Sequence, residues 1–397
     1  MSVGTDRIPA GRDRAGRGAR RRRSVYATMP GLIVAAALCL VACSSAPTSA
    51  TGVVAVPAPL PGLSTAPADT TSPTPVAMAD LSTCPALTYN APLSPMPQAG
   101  DMPGGSIMEK IRQRGYLLAG VDQDEYDYGF RNPTPGTVAP GEEFQGYDID
   151  ILRAVAYAIF GAAGNPDTDI RFVPVNQDYR LGEANQGVVD IVADSITMTC
   201  GRAEQVGFSA DYLNAHQKLI VDRTATKVSV QSDAQGVARI YGLEGAKVCT
   251  VGGTTSIGNI TTHQKQGGFT TVLAENWSDC LLLLQQGQVQ AVTTDDNLLG
   301  GMKAEDPYLR VIDGALSDEA HALAVPRTYP NLSAQDRQFL SFINGVLAQL
   351  ESPATGGSCP QTRLSTDASC WAALYRFWIT PGLGEKVPTP PSLLSYP

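Results

Sequence analysis

The sequence has 397 residues, of which 43% are apolar and 17% charged, and its formal net charge is -9. That length and apolar content suffice for one or two ordinary hydrophobic cores. Residues 1–42 hold eight Arg and two Asp, a charge of +6, so the remaining chain carries -15. Such an acidic surface argues against nucleic acid as a partner, although it does not prevent a pocket from binding an anionic ligand.

The first 42 residues predict an export signal. Eight Arg lie within the first 23 residues, the last four of them at Arg20–Arg23. The uncharged residues 24–42 follow, with an apolar core at their end. That core is too short to span a bilayer and fits a signal peptide. It ends in Leu40-Val41-Ala42-Cys43, which resembles a bacterial lipobox, so we expect Cys43 to be acylated and to anchor the chain at the extracytoplasmic face of the cell membrane. The alternative is a plain secretory signal in which Cys43 occurs by chance.

Residues 43–80 predict the lipidated Cys43 and a disordered tether. After Cys43 the segment has seven Pro, no aromatic residue and no Lys or Arg. A segment of this composition cannot bury enough apolar surface to fold. We expect it to hold a folded module away from the lipid surface.

Helices and strands alternate in the next part of the chain. Apolar residues at helical spacing predict a helix over 147–160, and the apolar run 188–193 is typical of a buried parallel strand. The other predicted elements are a helix over 107–114, strands over 116–121 and 170–175, and a helix over 180–186. Such alternation implies βαβ units and a parallel sheet.

The pattern repeats in a second block. The predicted elements are strands over 247–251, 270–273, 290–294 and 322–325, and helices over 278–286 and 336–350. We expect crossovers near 213–224 and 313–323. These predict one lobe from 81–215 and 319–397, and another from 216–318. A ligand would bind between the lobes, beyond the carboxyl ends of the strands.

The C-terminal part has a different composition. Residues 371–378 predict an apolar helix, which either covers the first lobe or forms a partner surface. Residues 380–397 contain many Pro and should be extended.

The cysteines indicate an oxidising compartment. Of eight, Cys39 lies in the signal and Cys43 is the anchor, which leaves six in the exported part. An even number suggests three disulfides among 15 arithmetically allowed pairings. No C-x-x-C pair is present and there are only three His, so neither a metal nor a cofactor is expected. The expected pairs are Cys249–Cys280, Cys359–Cys370 and, by elimination, Cys84–Cys200.

Four segments resemble a known family. They are Gly146–Ile151; Ser195–Arg202 with Val206–Tyr212 after it; Leu243–Val248 with Gly253–Ser256; and Ala291–Asp296. In this order they resemble the bacterial periplasmic solute-binding proteins for polar amino acids, family 3, over residues 106–350. The resemblance implies an α/β, two-lobe periplasmic-binding-protein type II fold, with two crossover strands as the hinge and the ligand in the cleft between the lobes.

The resemblance also implies roles for individual residues. Arg202 would pair with the α-carboxylate of an amino acid, whereas without the resemblance its pattern favours a surface Arg in a Thr-rich loop. The other implied contacts are backbone N–H groups near Ser195 and Thr197 for the carboxylate, the Thr197 hydroxyl, Ser195 carbonyl and Asp295 for the ammonium, and Thr254 and Thr255 closing from the second lobe. For the ammonium, Asp296 is the alternative to Asp295.

The side-chain subsite distinguishes the ligands. Arg180 lies where acidic-amino-acid binders of the family have an Arg, although it could also be a helix-face residue paired with Glu183. Asp122 argues for glutamine instead, because it resembles the Asp with which glutamine binders of the family accept a hydrogen bond from the ligand amide. Tyr128 and Phe130 correspond to the aromatics that flank the ligand, or else belong to the core.

These features together predict a receptor rather than an enzyme. The sequence contains no nucleophile, metal or phosphate-binding motif, and its three His are scattered. We expect a monomer that binds glutamate or aspartate, or otherwise glutamine or asparagine. It would deliver the ligand to an ABC permease or signal to a membrane sensor. The alternative is a lyase on the same fold, similar to cyclohexadienyl dehydratase.

Overall fold

The structure is a computed structural model that describes residues 64–65, 84, 86–87, 89–134, 142–161, 164–165, 168–327, 331–353, 359 and 368–391. The predicted signal, Cys43 and, apart from Ser64 and Thr65, the predicted tether lie outside the described residues. Among the residues that are described, no helix is long and apolar enough to cross a membrane.

Fifteen strands and ten α-helices are found in the described part of the chain. The strands are β1 Ser64–Thr65, β2 Leu117–Val121, β3 Asp124–Glu125, β4 Gly129–Arg131, β5 Phe144–Gln145, β6 Ile170–Pro174, β7 Ile191–Ala193, β8 Gly207–Asp222, β9 Ser229–Ser232, β10 Ala238–Tyr241, β11 Lys247–Val251, β12 Thr270–Ala274, β13 Ala291–Asp295, β14 Leu309–Val311 and β15 Ser317–Val325. The helices are α1 Ile107–Arg114, α2 Tyr147–Phe160, α3 Arg180–Asn185, α4 Cys200–Ala203, α5 Thr255–Gly267, α6 Trp277–Gln285, α7 Asp296–Glu305, α8 Ala334–Glu351, α9 Cys370–Leu374 and α10 Thr380–Leu383, with a π-helical turn, Tyr375–Ile379, between the last two.

Ten strands form one sheet in the order β1-β12-β11-β13-β8-β15-β7-β2-β6, with β14 paired to β8. The parallel strands β2, β6 and β7, with the helices and loops that connect and flank them, form what we call the first half. Strands β11, β12 and β13, with their own connecting helices and loops, form the second half. The long strands β8 and β15 run antiparallel to each other between them. The predicted crossovers overlap β8 and β15, and the predicted boundaries at 216 and 319 fall inside these two strands.

Hydrophobic patterning accounts for the elements that were predicted best. Helix α2 has the predicted bounds, and its Ile149, Leu152, Val155 and Ile159 have no exposed surface. Strand β7 is fully buried, but it covers only the last three residues of the predicted run 188–193, and Val188 is 50% exposed. Strand β15 begins five residues before the predicted 322–325, because its first residues are polar and conceal the strand pattern.

The C-terminal segment contacts both halves of the sheet. Trp371 donates from Nε1 to the Tyr212 carbonyl of β8 at 2.7 Å, and Trp378 donates from Nε1 to Asp150 Oδ2 of α2, beside the first half, at 2.8 Å. At Gly382 in α10, a Cβ atom would lie 2.4 Å from the carbonyl oxygen of Gly300 in α7, so the two backbones touch. The prediction that residues 380–397 are extended is wrong for Thr380–Leu383, because Pro381 occupies a first-turn position where proline favours a helix.

All three predicted disulfides are confirmed. Cys84–Cys200, Cys249–Cys280 and Cys359–Cys370 have Cα–Cα distances of 5.5, 5.6 and 5.5 Å. The first bond ties the beginning of the folded part to α4, the helix that carries Arg202. Within the predicted tether, Ser64 and Thr65 differ from expectation, because they pair antiparallel with Leu273 and Val272 of β12.

Candidate functional site

A narrow cavity lies between the two halves of the sheet, and we call it the cleft cavity. Its walls come from segments that follow parallel strands in both halves, as expected at the carboxyl edge of an α/β sheet. The lining residues are Gln177, Arg180, Ser195, Thr197, Thr254, Thr255, Ser256, Trp277, Thr294, Asp295 and Leu298. Six of the predicted site residues are thereby brought together.

Asp295 ends β13 and faces the cleft cavity, and it is 4% exposed. Its Oδ2 lies 2.8 Å from Nε2 of His321. Its Oδ1 has no hydrogen-bond partner among the described residues. A buried carboxylate oxygen without a partner is costly unless a ligand supplies the hydrogen bond.

Asp296, the alternative ammonium partner, faces away from the cleft cavity. Lys218 Nζ lies 2.9 Å and His216 Nδ1 3.4 Å from its Oδ2. Burial opposes ionisation of Asp296, but hydrogen bonds with His216 and Lys218 outweigh it and lower its pKa. Asp295 occupies the N-cap position of α7 and makes no side-chain cap bond.

Arg180 lies at the start of α3, is 2% exposed and lines the cleft cavity. Its Nη1 donates to the backbone carbonyl of Asp194 and lies 3.2 Å from Asp194 Oδ1. Its Nε, which is also buried, has no partner among the described residues. The alternative, in which Arg180 pairs with Glu183, is not found among the described residues, where Asp194 is its partner.

Behind Arg180 lies a group of buried carboxyls, Asp122, Glu125 and Asp194, whose nearest oxygens are within 4.8 Å of one another. Burial raises the pKa of Asp122 and of Glu125 well above the usual values. Burial also raises the pKa of Asp194 to about 7, although Arg180 opposes the shift. The group therefore binds protons more readily than exposed carboxyls do, which weakens its compensation of the Arg180 charge.

Arg202 is 8% exposed and connects the two halves; it does not line the cleft cavity itself, but it lies directly behind Thr197, which does. Its Nη1 donates to the Thr197 carbonyl at 2.8 Å and its Nη2 to the Gly253 carbonyl at 3.0 Å. Burial, and then the charge of Arg180, lowers its pKa to about 9. A guanidinium has five N–H groups, so this arrangement leaves three for other acceptors.

The hydroxyl residues of the cavity wall are held by buried partners. Thr255 donates to Glu319 Oε2 at 3.0 Å, and its Oγ1 lies 3.4 Å from Oγ1 of Thr197. Thr254 donates to the Val251 carbonyl at 2.7 Å, which closes the turn before α5. These contacts fix the wall at the point where the two halves meet.

Ser195 has a strained backbone that is fixed from two sides. Its φ is 44°, a left-handed conformation that non-glycine residues rarely adopt. Its N–H donates to Asp148 Oδ2 at 2.8 Å, and its hydroxyl donates to Glu125 Oε1 at 2.9 Å. The strain therefore orients the Ser195 peptide at the edge of the cleft cavity.

Besides Arg202, three predicted residues lie outside the cavity wall. Asp122 is buried behind it, where its Oδ2 accepts from Gln177 Nε2 at 2.6 Å. Tyr128 lies in the core with its hydroxyl 2.9 Å from His321 Nδ1. Phe130 belongs to the small sheet β3-β4-β5 and packs edge-on against Tyr126 at 5.1 Å. The expected flanking of a ligand by Tyr128 and Phe130 is therefore not found; both pack within the protein.

Five lining residues were missed by the sequence analysis: Gln177, Ser256, Trp277, Thr294 and Leu298. Thr294 could have been found, because it directly precedes Asp295 at a strand end. Trp277 begins α6, and nothing local in the sequence indicates that its ring turns toward the cleft cavity. Its indole Nε1 and the Oε1 of Gln177 are both buried without a partner among the described residues.

The two halves also touch beside the cleft cavity. Asp124 of β3 accepts hydrogen bonds from Ser278 N at 2.9 Å and Ser278 Oγ at 2.6 Å, and so caps α6 from the opposite half. At Gly253, whose φ is 68°, a Cβ atom would lie 2.6 Å from both Gln177 O and Asp178 Oδ1. The structure is therefore one in which the halves are closed on each other.

Known proteins are similar to this chain in sequence and in fold. Residues 117–355 match the family described as bacterial extracellular solute-binding proteins, family 3. A glutamine-binding protein of Geobacillus stearothermophilus is 32% identical over 57% of this chain and 79% of its own length. A glutamate-binding protein of Corynebacterium glutamicum is 26% identical over 64% of this chain and 81% of its own.

The solved structures agree with the predicted fold. A cysteine-binding protein from Campylobacter jejuni superposes with a TM-score of 0.55 at 20% identity, covering 72% of this chain and 97% of that one. The two-lobe periplasmic-binding-protein type II fold is thereby confirmed. These relatives are named as binding proteins. It belongs to family 3 of the bacterial extracellular solute-binding proteins.

Proposed function

We propose that this protein is a receptor for a free polar amino acid, with glutamate or aspartate preferred over glutamine and asparagine. The observation that carries the proposal is a set of four buried polar atoms without partners among the described residues, all belonging to residues that line one cavity. Two can accept hydrogen bonds, Asp295 Oδ1 and Gln177 Oε1. Two can donate them, Arg180 Nε and Trp277 Nε1.

The ammonium of the ligand would bind Asp295, whose Oδ1 is available on the side of the second half. Its carboxylate would bind the remaining N–H groups of Arg202, together with backbone N–H groups near Ser195 and Thr197. Thr254 and Thr255 would complete the enclosure from the second half. Charge-assisted contacts of this kind are strong because the site excludes water.

The side chain of the ligand would lie against Arg180. Because the carboxyls behind Arg180 have raised pKa values, its positive charge remains available to an anionic head group. Relatives named for glutamine and for glutamate both support a ligand with a polar side chain. Asp122, predicted as an amide acceptor, is already bonded to Gln177 and would act only through it.

We propose that the two halves act as lobes, formed by 81–215 with 319–397 and by 216–318, which close on the ligand through β8 and β15. The closed protein would pass its ligand to an ABC permease or report it to a membrane sensor, and both would read the closed surface. The lipobox at Cys43, the Pro-rich tether and the extra cysteines resemble those of mycobacterial glutamine-binding lipoproteins. They support our proposal of a lipid-anchored protein at the extracytoplasmic face of the cell membrane, which we propose to be a monomer.

Titration calorimetry with glutamate, aspartate, glutamine, asparagine and arginine tests the proposed function. We expect the tightest binding for an acidic amino acid, at a submicromolar Kd that corresponds to roughly -8 to -10 kcal/mol. Tighter binding of arginine than of every other ligand, or heat from none of them, would contradict the assignment of the cavity.

Replacing Arg180 by Ala should reduce the preference for acidic ligands. The loss of one charge-assisted contact should lower the ratio of the glutamine Kd to the glutamate Kd by about 10-fold. Arg180→Lys keeps the charge and is the matched control, so it should retain more of the preference. An equal loss of affinity for all five ligands would show that Arg180 supports the wall instead of reading the side chain.

A further inference from the structure

His321 occupies the strand that joins the two halves and has no exposed surface. Its backbone forms an antiparallel bridge with Thr197, on the wall of the cleft cavity. The pairing of β15 with β8 shifts register directly after His321. Irregularities of this kind re-aim side chains, and here the imidazole points between the halves instead of into one core.

The imidazole is hydrogen-bonded at both nitrogens to residues of different halves. Nε2 lies 2.8 Å from Asp295 Oδ2, and Nδ1 lies 2.9 Å from the Tyr128 hydroxyl. A carboxylate can only accept, so these partners assign the proton to Nε2. In the neutral ring, the Tyr128 hydroxyl then donates to Nδ1.

The partner in the first half is itself rigidly held. Tyr128 is 1% exposed and stacks on Tyr147 at 5.6 Å, which in turn stacks on Tyr212 at 6.1 Å. Tyr212 donates to Asp148 Oδ1 at 2.5 Å. Asp148 accepts the Ser195 N–H, so this network reaches the opposite edge of the cleft cavity.

The partner in the second half keeps one oxygen for the cavity. Because His321 occupies Oδ2 of Asp295, the carboxylate cannot rotate freely, and Oδ1 remains without a partner among the described residues. Asp295 is a short side chain at a strand end, and no other side-chain bond of it is found in the described part of the chain. The direction in which it presents Oδ1 thus depends on His321.

We propose that His321 is a positioning residue that sets the ammonium subsite from the hinge, so that selectivity for ligands with an α-ammonium group depends on its Nε2–H. This inference rests on the proposed function. It goes beyond it because His321 does not line the cleft cavity and would act only through Asp295. The imidazole also couples closure to ammonium recognition. Its contacts with Tyr128 of one half and Asp295 of the other can exist together only when the two halves are closed.

A comparison of glutamate with glutarate, which lacks the α-ammonium, isolates this role. In the full-length protein, His321→Met should lower the ratio of the glutarate Kd to the glutamate Kd by about 10-fold or more, because it removes one hydrogen bond to a charged group. His321→Gln places an amide N–H near the position of Nε2. It should keep the ratio within about threefold of the unmodified protein.

The outcomes separate the inference from the proposed function. If the unmodified protein binds no amino acid, the proposed function fails. If it binds glutamate, but His321→Met weakens glutamate and glutarate equally or changes neither, the positioning role is wrong. Should His321→Met not fold, as judged by thermal unfolding, Tyr128→Phe provides the test. It keeps the ring stack and removes only the hydroxyl, so a fall in the ratio supports the role and an unchanged ratio overturns it.

Discussion

Arg202→Ala should abolish detectable binding of every amino acid in calorimetry, whatever its side chain. The substitution removes the proposed partner of the α-carboxylate, and it also removes the donor to Thr197 O and Gly253 O that joins the two halves. Removing one member of a desolvated charge pair costs about 2–5 kcal/mol, or roughly 30- to 5000-fold in Kd. Losing the closing bond should place this variant at the upper end of that range.

Two controls give the Arg202 result its meaning. Arg202→Lys keeps the charge but not the planar fork, so it should recover part of the affinity for all ligands alike. Arg239→Ala removes an Arg that is paired with Asp233 far along the second half and is 43% exposed, and it should leave binding unchanged. Binding by Arg202→Ala within threefold of the unmodified protein would remove Arg202 from the site.

Asp295→Asn should weaken binding of all amino acids by about 100-fold or more. The amide has nearly the size of the carboxylate and can still accept from His321. Its NH₂ group would then face the cavity in place of Oδ1 and repel an ammonium. Because the change conserves volume, thermal unfolding of the ligand-free protein should stay close to that of the unmodified chain, and the loss should appear in ligand titrations alone.

The neighbouring residue supplies a matched control. Asp296→Asn is the same chemical change one position later, but Asp296 is bonded to Lys218 and His216 and lies outside the cavity wall. We expect its effect on stability to exceed its effect on affinity. If Asp296→Asn loses ligand while Asp295→Asn keeps it, the ammonium partner has been assigned to the wrong carboxylate.

The predictable part of the fold is the part that hydrophobic periodicity encodes. Helix α2 and strands β2, β7 and β11 bury apolar side chains in patterns that have only one structural meaning. Helix α5 was missed because Thr, Gln and Gly dominate it and only a few of its residues are buried. The polar start of β15 was missed because its Glu319 and His321 are buried by pairing with other polar groups, which a hydrophobic pattern does not register.

The site residues that could be predicted are those at the ends of buried strands, where position in the chain determines that the side chain points toward the cleft. Asp295 follows a buried strand, and the end of such a strand must open on the cleft. Tyr128 and Phe130 could not be placed, because an aromatic residue serves a core or a ligand equally well until the surrounding helices are fixed. The partners of Arg180 were also inaccessible from sequence, since Asp194 is fourteen positions away and reaches it only through the sheet.

The contact at Gly253 limits which sequences can close this cleft. A side chain there would meet Gln177 O at 2.6 Å, so even one methyl group would act as a wedge between the halves. The constraint arises because two backbone segments lie in contact, and it does not depend on which ligand the cavity holds. Substitution of Arg180 or Gln177 could therefore change the ligand preference, whereas position 253 would still have to be glycine.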